Sequence, residues 1–228
     1  MRPLDPVTVA RLVTDIVEAD TEQSTVEQVV ASAVAMLEVV GGGVTFLQGG
    51  GTPPVSIGAS DHRVERADLL QHQLGEGPCL EASIASRIVW SVDLRHDERW
   101  PTWGPLAADL GLGSILSVEM HSKERRIGAL NLYGAHAHEF GNDDRDLAQL
   151  LGRQASAAVL RLRTEHNLQE ALTSRTLIGQ AQGILMERFG VDADRAFQVL
   201  QRYSQDRNVK LRDVAERLVA TYPAGDES

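Results

Sequence analysis

Residues that could support catalysis or metal binding occur in this sequence, but each lacks a necessary partner. Cys79 follows a Gly-Pro turn, as some nucleophiles do, yet it is the only cysteine in 228 residues. A free cysteine is most often a small buried apolar residue. His136 and His138 form a close pair without an evident third ligand for zinc, and the glycines at 49–51 lack the Lys-Ser/Thr of a phosphate loop. We therefore predict no enzyme activity, no metal and no cofactor.

The last third of the chain contains side chains of the kind that contact nucleic acids. Cations bind phosphates, and amide or hydroxyl groups hydrogen-bond to phosphates or base edges. The candidate residues are Arg175, Gln182, Arg188, Arg202, Ser204, Arg207, Lys210 and Arg212. The alternative is a solvated helix face on which acidic neighbours balance these cations. Charge alone favours this alternative.

Four large aromatic residues lie in the first two thirds of the chain: Trp90, Trp100, Trp103 and Tyr133. They could line a pocket for a small ligand. They could equally form the core of a region that has few other large side chains. The sequence leaves both interpretations open.

The net charge of −10 is unevenly distributed. Residues 1–164 contain 14 basic and 22 acidic residues, residues 165–222 contain eight of each, and residues 223–228 add two acidic ones. A negative charge repels nucleic acids at long range. The C-terminal third is therefore the part of the chain best suited to bind one.

The composition also indicates where the protein acts. No stretch approaches the roughly 18 uninterrupted apolar residues of a membrane span. Residues 1–20 contain Asp5, Asp15, Glu18 and Asp20, whereas a secretory signal has a basic start and an apolar block. With a single cysteine, these features predict a cytoplasmic protein with no membrane partner.

The periodicity of apolar residues predicts an α+β region followed by helices. We expect a short helix over residues 6–17 and a second over 25–37 that is ended by the glycines at 41–43. Strands with alternating polarity follow. Over 115–122, Ser117, Glu119 and His121 alternate with apolar residues, which predicts an antiparallel sheet whose polar side faces solvent. A long helix then begins near residue 143, and two further helices complete a three-helix bundle.

The long helix carries an apolar stripe. Its residues are Leu147, Leu151, Ala155, Ala158, Val159 and Leu162. Beside a folded domain, such a stripe would be exposed unless something covers it. We therefore predict a homodimer whose seam lies along residues 143–172.

Four segments in the first two thirds resemble the GAF domain, a small-molecule and signal-sensing fold. They are GEGPCLEA at 75–82, IVWSVDL at 88–94, ERWPTW at 98–103 and IGALNLYG at 127–134. The resemblance implies a GAF domain with an antiparallel sheet and flanking helices over residues 21–162, preceded by an N-terminal helix within residues 1–20. It also implies an unknown small-molecule or protein signal.

Residues 174–219 resemble the ANTAR domain, the RNA-binding module of transcription antitermination regulators. The run begins SRTLIGQAQGILMERFG and continues to RDVAERLV. It places an all-α ANTAR bundle at 163–222, joined to the GAF domain by the long helix and followed by a tail at 223–228. Many members of the family have Lys where this chain has Gln182.

The two resemblances together imply a signal-controlled regulator in which paired ANTAR modules bind RNA hairpins in leader transcripts. Binding would prevent a terminator from forming or would control translation. Two alternatives remain: a DNA-binding transcription factor with a ligand-sensing GAF domain, and a GAF-fold sulfoxide reductase. The first lacks a compact basic recognition helix, and the second would need partner cysteines.

Overall fold

The structure is a computed structural model that describes residues 14, 16, 19–47, 54–84, 88–122 and 126–222. It divides into two compact units, Met1–Arg163 and Thr164–Ser228, which we call the first and the second unit. Most of the expected N-terminal helix over 6–17, the glycines at 49–51 and the tail at 223–228 lie outside the described residues. Among the described residues, no helix combines the length and the apolar character that a membrane span requires.

The first helix, α1 (Glu22–Leu37), begins with a capping box between Thr21 and Ser24. It ends where Glu38 adopts a left-handed conformation. Our expectation that the three glycines at 41–43 end this helix was wrong, because they are the first residues of strand β1 (Gly41–Phe46). A Cβ atom on Gly42 would lie 2.9 Å from Leu132 Cδ2, so close packing against the neighbouring strand explains the small residue there.

Five strands form one antiparallel sheet in the order β2-β1-β5-β4-β3. The other strands are β2 (Val55–Ile57), β3 (Ile88–Ser91), β4 (Ser114–His121) and β5 (Arg126–Gly134). In the central pair, Ser117 of β4 lies opposite Asn131 of β5. The predicted antiparallel α+β fold is confirmed.

Both faces of this sheet are covered, so the expected solvent-facing side was wrong. One face packs against α1 and the start of the long helix α5 (Asn142–Phe189). The other packs against residues of three helices, α2 (His62–Leu74), α3 (Pro78–Ile84) and α4 (Trp103–Asp109). Ser117, whose polarity suggested solvent, is fully buried and donates a hydrogen bond to Asn131 Oδ1 over 2.7 Å. A satisfied hydrogen bond makes such burial tolerable.

The apolar stripe on α5 does not form an exposed seam. Leu162 is half-buried, and the other five stripe residues are buried in the core beneath the sheet: Leu147, Leu151, Ala155, Ala158 and Val159. The stripe is therefore covered by its own chain, and its exposure cannot be the reason for dimerisation. In the second unit, two leucine side chains of the same helix are more than half exposed: Leu168 is 61% exposed and Leu172 is 51% exposed.

The second unit consists of the end of α5 with α6 (Ala193–Arg207) and α7 (Leu211–Thr221). Asp192 caps α6 by accepting a hydrogen bond from Arg195 N over 2.7 Å, and Asn208 ends the helix in a left-handed conformation. Each helix contributes two residues to the buried core: Ala181, Leu185, Ala196, Leu200, Val214 and Ala215. The expected helical module therefore has its own core.

Candidate functional site

The first unit contains a buried carboxyl group within a cluster of polar side chains. Asp68 on α2 is fully buried. Its Oδ1 atom accepts hydrogen bonds from Tyr133 Oη at 2.6 Å, Asn131 Nδ2 at 3.1 Å and Gln71 Nε2 at 3.3 Å. Its Oδ2 atom accepts one from Ser56 Oγ at 3.5 Å. Within the described part of the chain, no cation forms an ion pair with Asp68.

Burial dominates the electrostatics of this cluster. It raises the pKa of Asp68 from 3.8 to about 6, although the hydrogen bonds from Tyr133, Asn131, Ser56 and Gln71 act in the opposite direction. A carboxylate without a cation is costly in a medium of low dielectric constant. Asp68 is therefore a group whose protonation can change near neutral pH.

The segment GEGPCLEA positions one side of this cluster. Gly75 ends α2 in a left-handed conformation, and Gly77 has a φ of 136°. A Cβ atom on Gly77 would collide with Gln71, whose Oε1 accepts a hydrogen bond from Cys79 N over 2.8 Å. The missing side chain at Gly77 lets the chain pass close to Gln71. The hydrogen bond from Cys79 N then orients the Gln71 amide so that its Nε2 donates to Asp68.

Sequence analysis did not identify Asp68, Gln71 or Asn131. Asp68 and Asn131 are 63 residues apart, and each is surrounded in sequence by apolar residues. A polar residue inside an apolar run was the available signal. Only the pairing of strand β5 and its packing against α2 show that these residues meet.

The four aromatic residues predicted to bind a ligand occupy different places. Three of them are buried on the side of the sheet that packs against α2, α3 and α4: Trp100, Trp103 and Tyr133. Tyr133 also donates a hydrogen bond to Asp68. Trp90 is 38% exposed and has the guanidinium of Arg145 at 4.0 Å from its ring centre. It lines a surface cavity of about 340 Å³. Ligand contact by these four residues stays a prediction.

Cys79 lies in an environment that suppresses thiol chemistry. It is buried, and this burial raises the pKa of its thiol to about 12. The thiolate is the reactive species, and it is therefore scarce at neutral pH. The described residues also contain no group of three potential metal ligands.

In the second unit, the predicted nucleic-acid contacts fall into three groups. Arg202 and Arg212 form ion pairs with Asp206 at 3.8 Å and Glu170 at 3.2 Å. Gln182 Nε2 donates to Ala193 O over 3.0 Å, and Ser204 Oγ donates to Val209 O over 2.6 Å. The cations that form no ion pair with a described carboxylate are Arg175, Arg188, Arg207 and Lys210.

These groups differ in what they can offer to a ligand. The four cations without ion pairs are exposed and can meet phosphates without first losing a carboxylate partner. The Ser204 hydroxyl holds the turn between α6 and α7. Gln182 stabilises the start of α6 with one N–H of its amide group, which leaves the second N–H and the carbonyl oxygen for a ligand. Direct contact by all eight residues stays a prediction.

Several large apolar side chains on the second unit are exposed, which sequence analysis did not anticipate. Phe189 is 64% exposed, Tyr203 51%, Val199 48%, Met186 38% and Phe197 36%. The guanidinium of Arg188 lies 6.0 Å from the ring centre of Phe189, and that of Arg207 lies 5.8 Å from the ring centre of Tyr203. Aromatic rings beside cations are typical of surfaces that bind single-stranded nucleic acids.

Solved structures share the fold of the first unit. The GAF domain of a phosphoenolpyruvate-protein phosphotransferase from Acinetobacter matches with a TM-score of 0.56 at 16% identity, over 73% of this chain and 99% of that one. The corresponding domain from Coxiella burnetii matches with a TM-score of 0.58 at 12% identity, over 71% and 95%. Free methionine-R-sulfoxide reductase from Neisseria meningitidis matches with a TM-score of 0.52 at 14% identity, over 69% and 89%.

Family models identify both parts of the chain. No curated protein matches it. The GAF domain model matches residues 19–159, and the ANTAR domain model matches residues 166–219. GAF is a sensor domain, and ANTAR domains are known in RNA-binding antitermination regulators, so this combination is that of a sensor and regulator rather than an enzyme. The chain belongs to the GAF domain family and carries a C-terminal ANTAR domain, as a GAF-ANTAR regulator.

Proposed function

We propose that this protein binds RNA hairpins in leader transcripts through its second unit and thereby controls transcription antitermination or translation. The observation that carries this proposal is the ANTAR match over 166–219. Four of the predicted contact residues in this unit are exposed cations that form no ion pair with a described carboxylate: Arg175, Arg188, Arg207 and Lys210. Hairpin loops present unstacked bases, which side chains can reach more easily than the deep groove of an RNA duplex.

A homodimer fits this function, because two ANTAR modules can engage two hairpins of one transcript. The covered stripe of α5 no longer supports such a dimer. Leu168 and Leu172 are better candidates for the seam, since they are four residues apart on one helix and more than half exposed. Side chains at this spacing lie on the same helix face. We therefore place the dimer contact in the second unit.

The first unit is proposed to sense the signal, and the surface cavity of about 340 Å³ beside Trp90 is the candidate ligand site. The polar cluster around Asp68 is fully buried, so it supports this unit from within. Tyr133 is the one predicted ligand residue that belongs to the cluster. Trp90, Trp100 and Trp103 remain proposed ligand contacts of the same domain.

The salt dependence of RNA binding tests the role of the cations. Arg207→Ala or Lys210→Ala should weaken binding to all hairpins alike and lower the slope of log affinity against log salt by about 0.7, the value for one phosphate contact of a single strand. Arg212→Ala is the matched control. Its smaller expected effect follows from the ion pair with Glu170, which competes with a phosphate for the Arg212 guanidinium. The slopes can be measured by filter binding at several salt concentrations.

Unchanged slopes for both Arg207→Ala and Lys210→Ala, with helical content intact by circular dichroism, would contradict this assignment. A larger effect for Arg212→Ala than for either would show that the phosphate contacts lie on another face of the unit.

A further inference from the structure

Three exposed apolar side chains of the second unit lie around the junction of α5 and α6. Gln182, Met186 and Phe189 are spaced by four and three residues on α5, so they share one helix face. Ala193 and Phe197 are four residues apart on α6 and also share a face. Met186, Phe189 and Phe197 are exposed to 38%, 64% and 36%.

One hydrogen bond brings these two faces together. Gln182 Nε2 donates to the carbonyl oxygen of Ala193 over 3.0 Å. The face of α5 that carries Met186 and Phe189 therefore borders the face of α6 that carries Phe197. We call the surface formed by Met186, Phe189 and Phe197 the aromatic face.

The charges beside this surface favour an RNA ligand over a second copy of the chain. Arg188 lies 6.0 Å from the ring centre of Phe189 and has no ion pair with a described carboxylate. A symmetric contact centred on Phe189 would bring the Arg188 guanidinium groups of two copies close together.

Unpaired bases fit the aromatic face in polarity. A base has a flat apolar surface that stacks on aromatic rings, and such stacking tolerates many sequences. Bases are uncharged, so the neighbouring carboxylate of Asp194 does not oppose them as it would oppose a phosphate. The cation beside Phe189 can reach the backbone of the same nucleotide.

We propose that the aromatic face stacks on unpaired bases of the RNA hairpin loop, with Phe189 and Phe197 as the stacking residues. This inference rests on the proposed RNA-binding function and assigns the part of the RNA that this surface recognises. The exposed cations Arg175, Arg188, Arg207 and Lys210 would contact phosphates, and the aromatic face would contact the bases of the loop.

The test uses the full chain and RNA hairpins selected from a library with a fixed stem and a randomised loop. Phe189→Leu and Phe197→Leu keep an apolar side chain but remove the ring, and each should weaken binding about tenfold, within the range that stacking on one base provides. Phe189→Trp and Phe197→Trp keep a ring and should bind as the unchanged protein does. Val199→Ala, at another exposed apolar position, is the control and should have no effect.

Two further readouts separate stacking from a structural role. 2-Aminopurine placed in the selected loop should be quenched by the unchanged protein and by the Trp variants, and less by the Leu variants. The salt slope should not change in the Leu variants, because no phosphate contact is lost. Thermal melting by circular dichroism should show that every variant remains folded, as expected for exposed positions.

Equal affinity and equal quenching for the Leu variants and the unchanged protein would overturn the inference while leaving RNA binding intact. Conversion of a dimer to a monomer by these variants would also overturn it, because a second copy would then occupy the aromatic face. If the unchanged protein selects no hairpin at all, the proposed function fails first, and the inference fails with it.

Discussion

Replacing Asp68 by Asn is expected to stabilise the first unit at pH 7 by about 3 kcal/mol, because each unit of pKa shift corresponds to about 1.4 kcal/mol. Folding buries this carboxyl group and raises its pKa from 3.8 to about 6. The amide oxygen of Asn can still accept the hydrogen bonds that Tyr133 and Asn131 donate to Oδ1. The substitution therefore removes the buried charge and keeps most of the cluster.

The same substitution should flatten the dependence of stability on pH. Between about pH 4 and pH 6 the folded state retains the Asp68 proton, whereas the unfolded state has released it, so stability falls as pH rises through this window. Below the window both states are protonated and the penalty is absent. Above it the penalty is complete. Urea unfolding of both proteins at a series of pH values measures the difference directly.

The difference between the two proteins isolates Asp68 from other titrating groups. Asp61, whose pKa is lowered to about 2 by hydrogen bonds from Arg63, has the opposite dependence and is present in both proteins. Tyr133 and Cys79 face Asp68, but burial raises both of their pKa values, so neither titrates in the window. His72, on the same helix, has a lowered pKa and is also common to both.

Asp68→Ala provides the contrast for this experiment. It removes the acceptor of four hydrogen bonds and should destabilise the first unit at all pH values, because buried donors without acceptors are costly. A free-energy difference between Asp68→Asn and the unchanged protein that does not vary with pH would contradict the account of Asp68.

Replacing Leu151 by Lys is expected to unfold the first unit, whereas Leu168→Lys should leave its stability unchanged. Leu151 is 4% exposed and belongs to the core between α5 and the sheet. Removal of a buried Leu side chain alone costs about 2 to 5 kcal/mol, and a buried ammonium group adds a further penalty. Leu168 is 61% exposed, where substitutions usually change stability by less than about 0.5 kcal/mol.

Urea unfolding followed by circular dichroism and by tryptophan fluorescence measures both effects, because all three tryptophans lie in the first unit. Sedimentation of Leu168→Lys then tests the proposed dimer contact in a folded protein, and it should be monomeric. A stable, monomeric Leu151→Lys protein would show that this part of α5 is an exposed seam after all.

The sequence was most informative where structure follows from local pattern. The helical period after residue 143 and the alternation of β4 predicted these elements, because side-chain periodicity is a property of neighbouring residues. The alternation could not show that α2, α3 and α4 cover the polar side of β4, so Ser117 was assigned to solvent. The stripe containing Leu151 was likewise recognised, but a pattern cannot distinguish a sheet of the same chain from a second copy.

Local pattern was least informative about the candidate sites. Gly41 to Gly43 have the composition of a helix stop, but pairing of β1 with β5 determined their structure. The contact of Gln182 with Ala193 joins two helices across a turn, and only this contact shows that Phe189 and Phe197 border one surface. Asp68 and Asn131 meet only after the sheet and α2 have packed together.

Binding of the full chain to two labelled nucleic acids of equal length tests whether this protein recognises RNA hairpins. One is an RNA hairpin selected from the randomised-loop library, and the other is a DNA duplex. We expect saturable binding to the hairpin that weakens when Arg207 and Lys210 are both replaced by Ala, and little binding to the duplex. Preference for the DNA duplex, or hairpin binding that is unaffected by the double substitution, would contradict it.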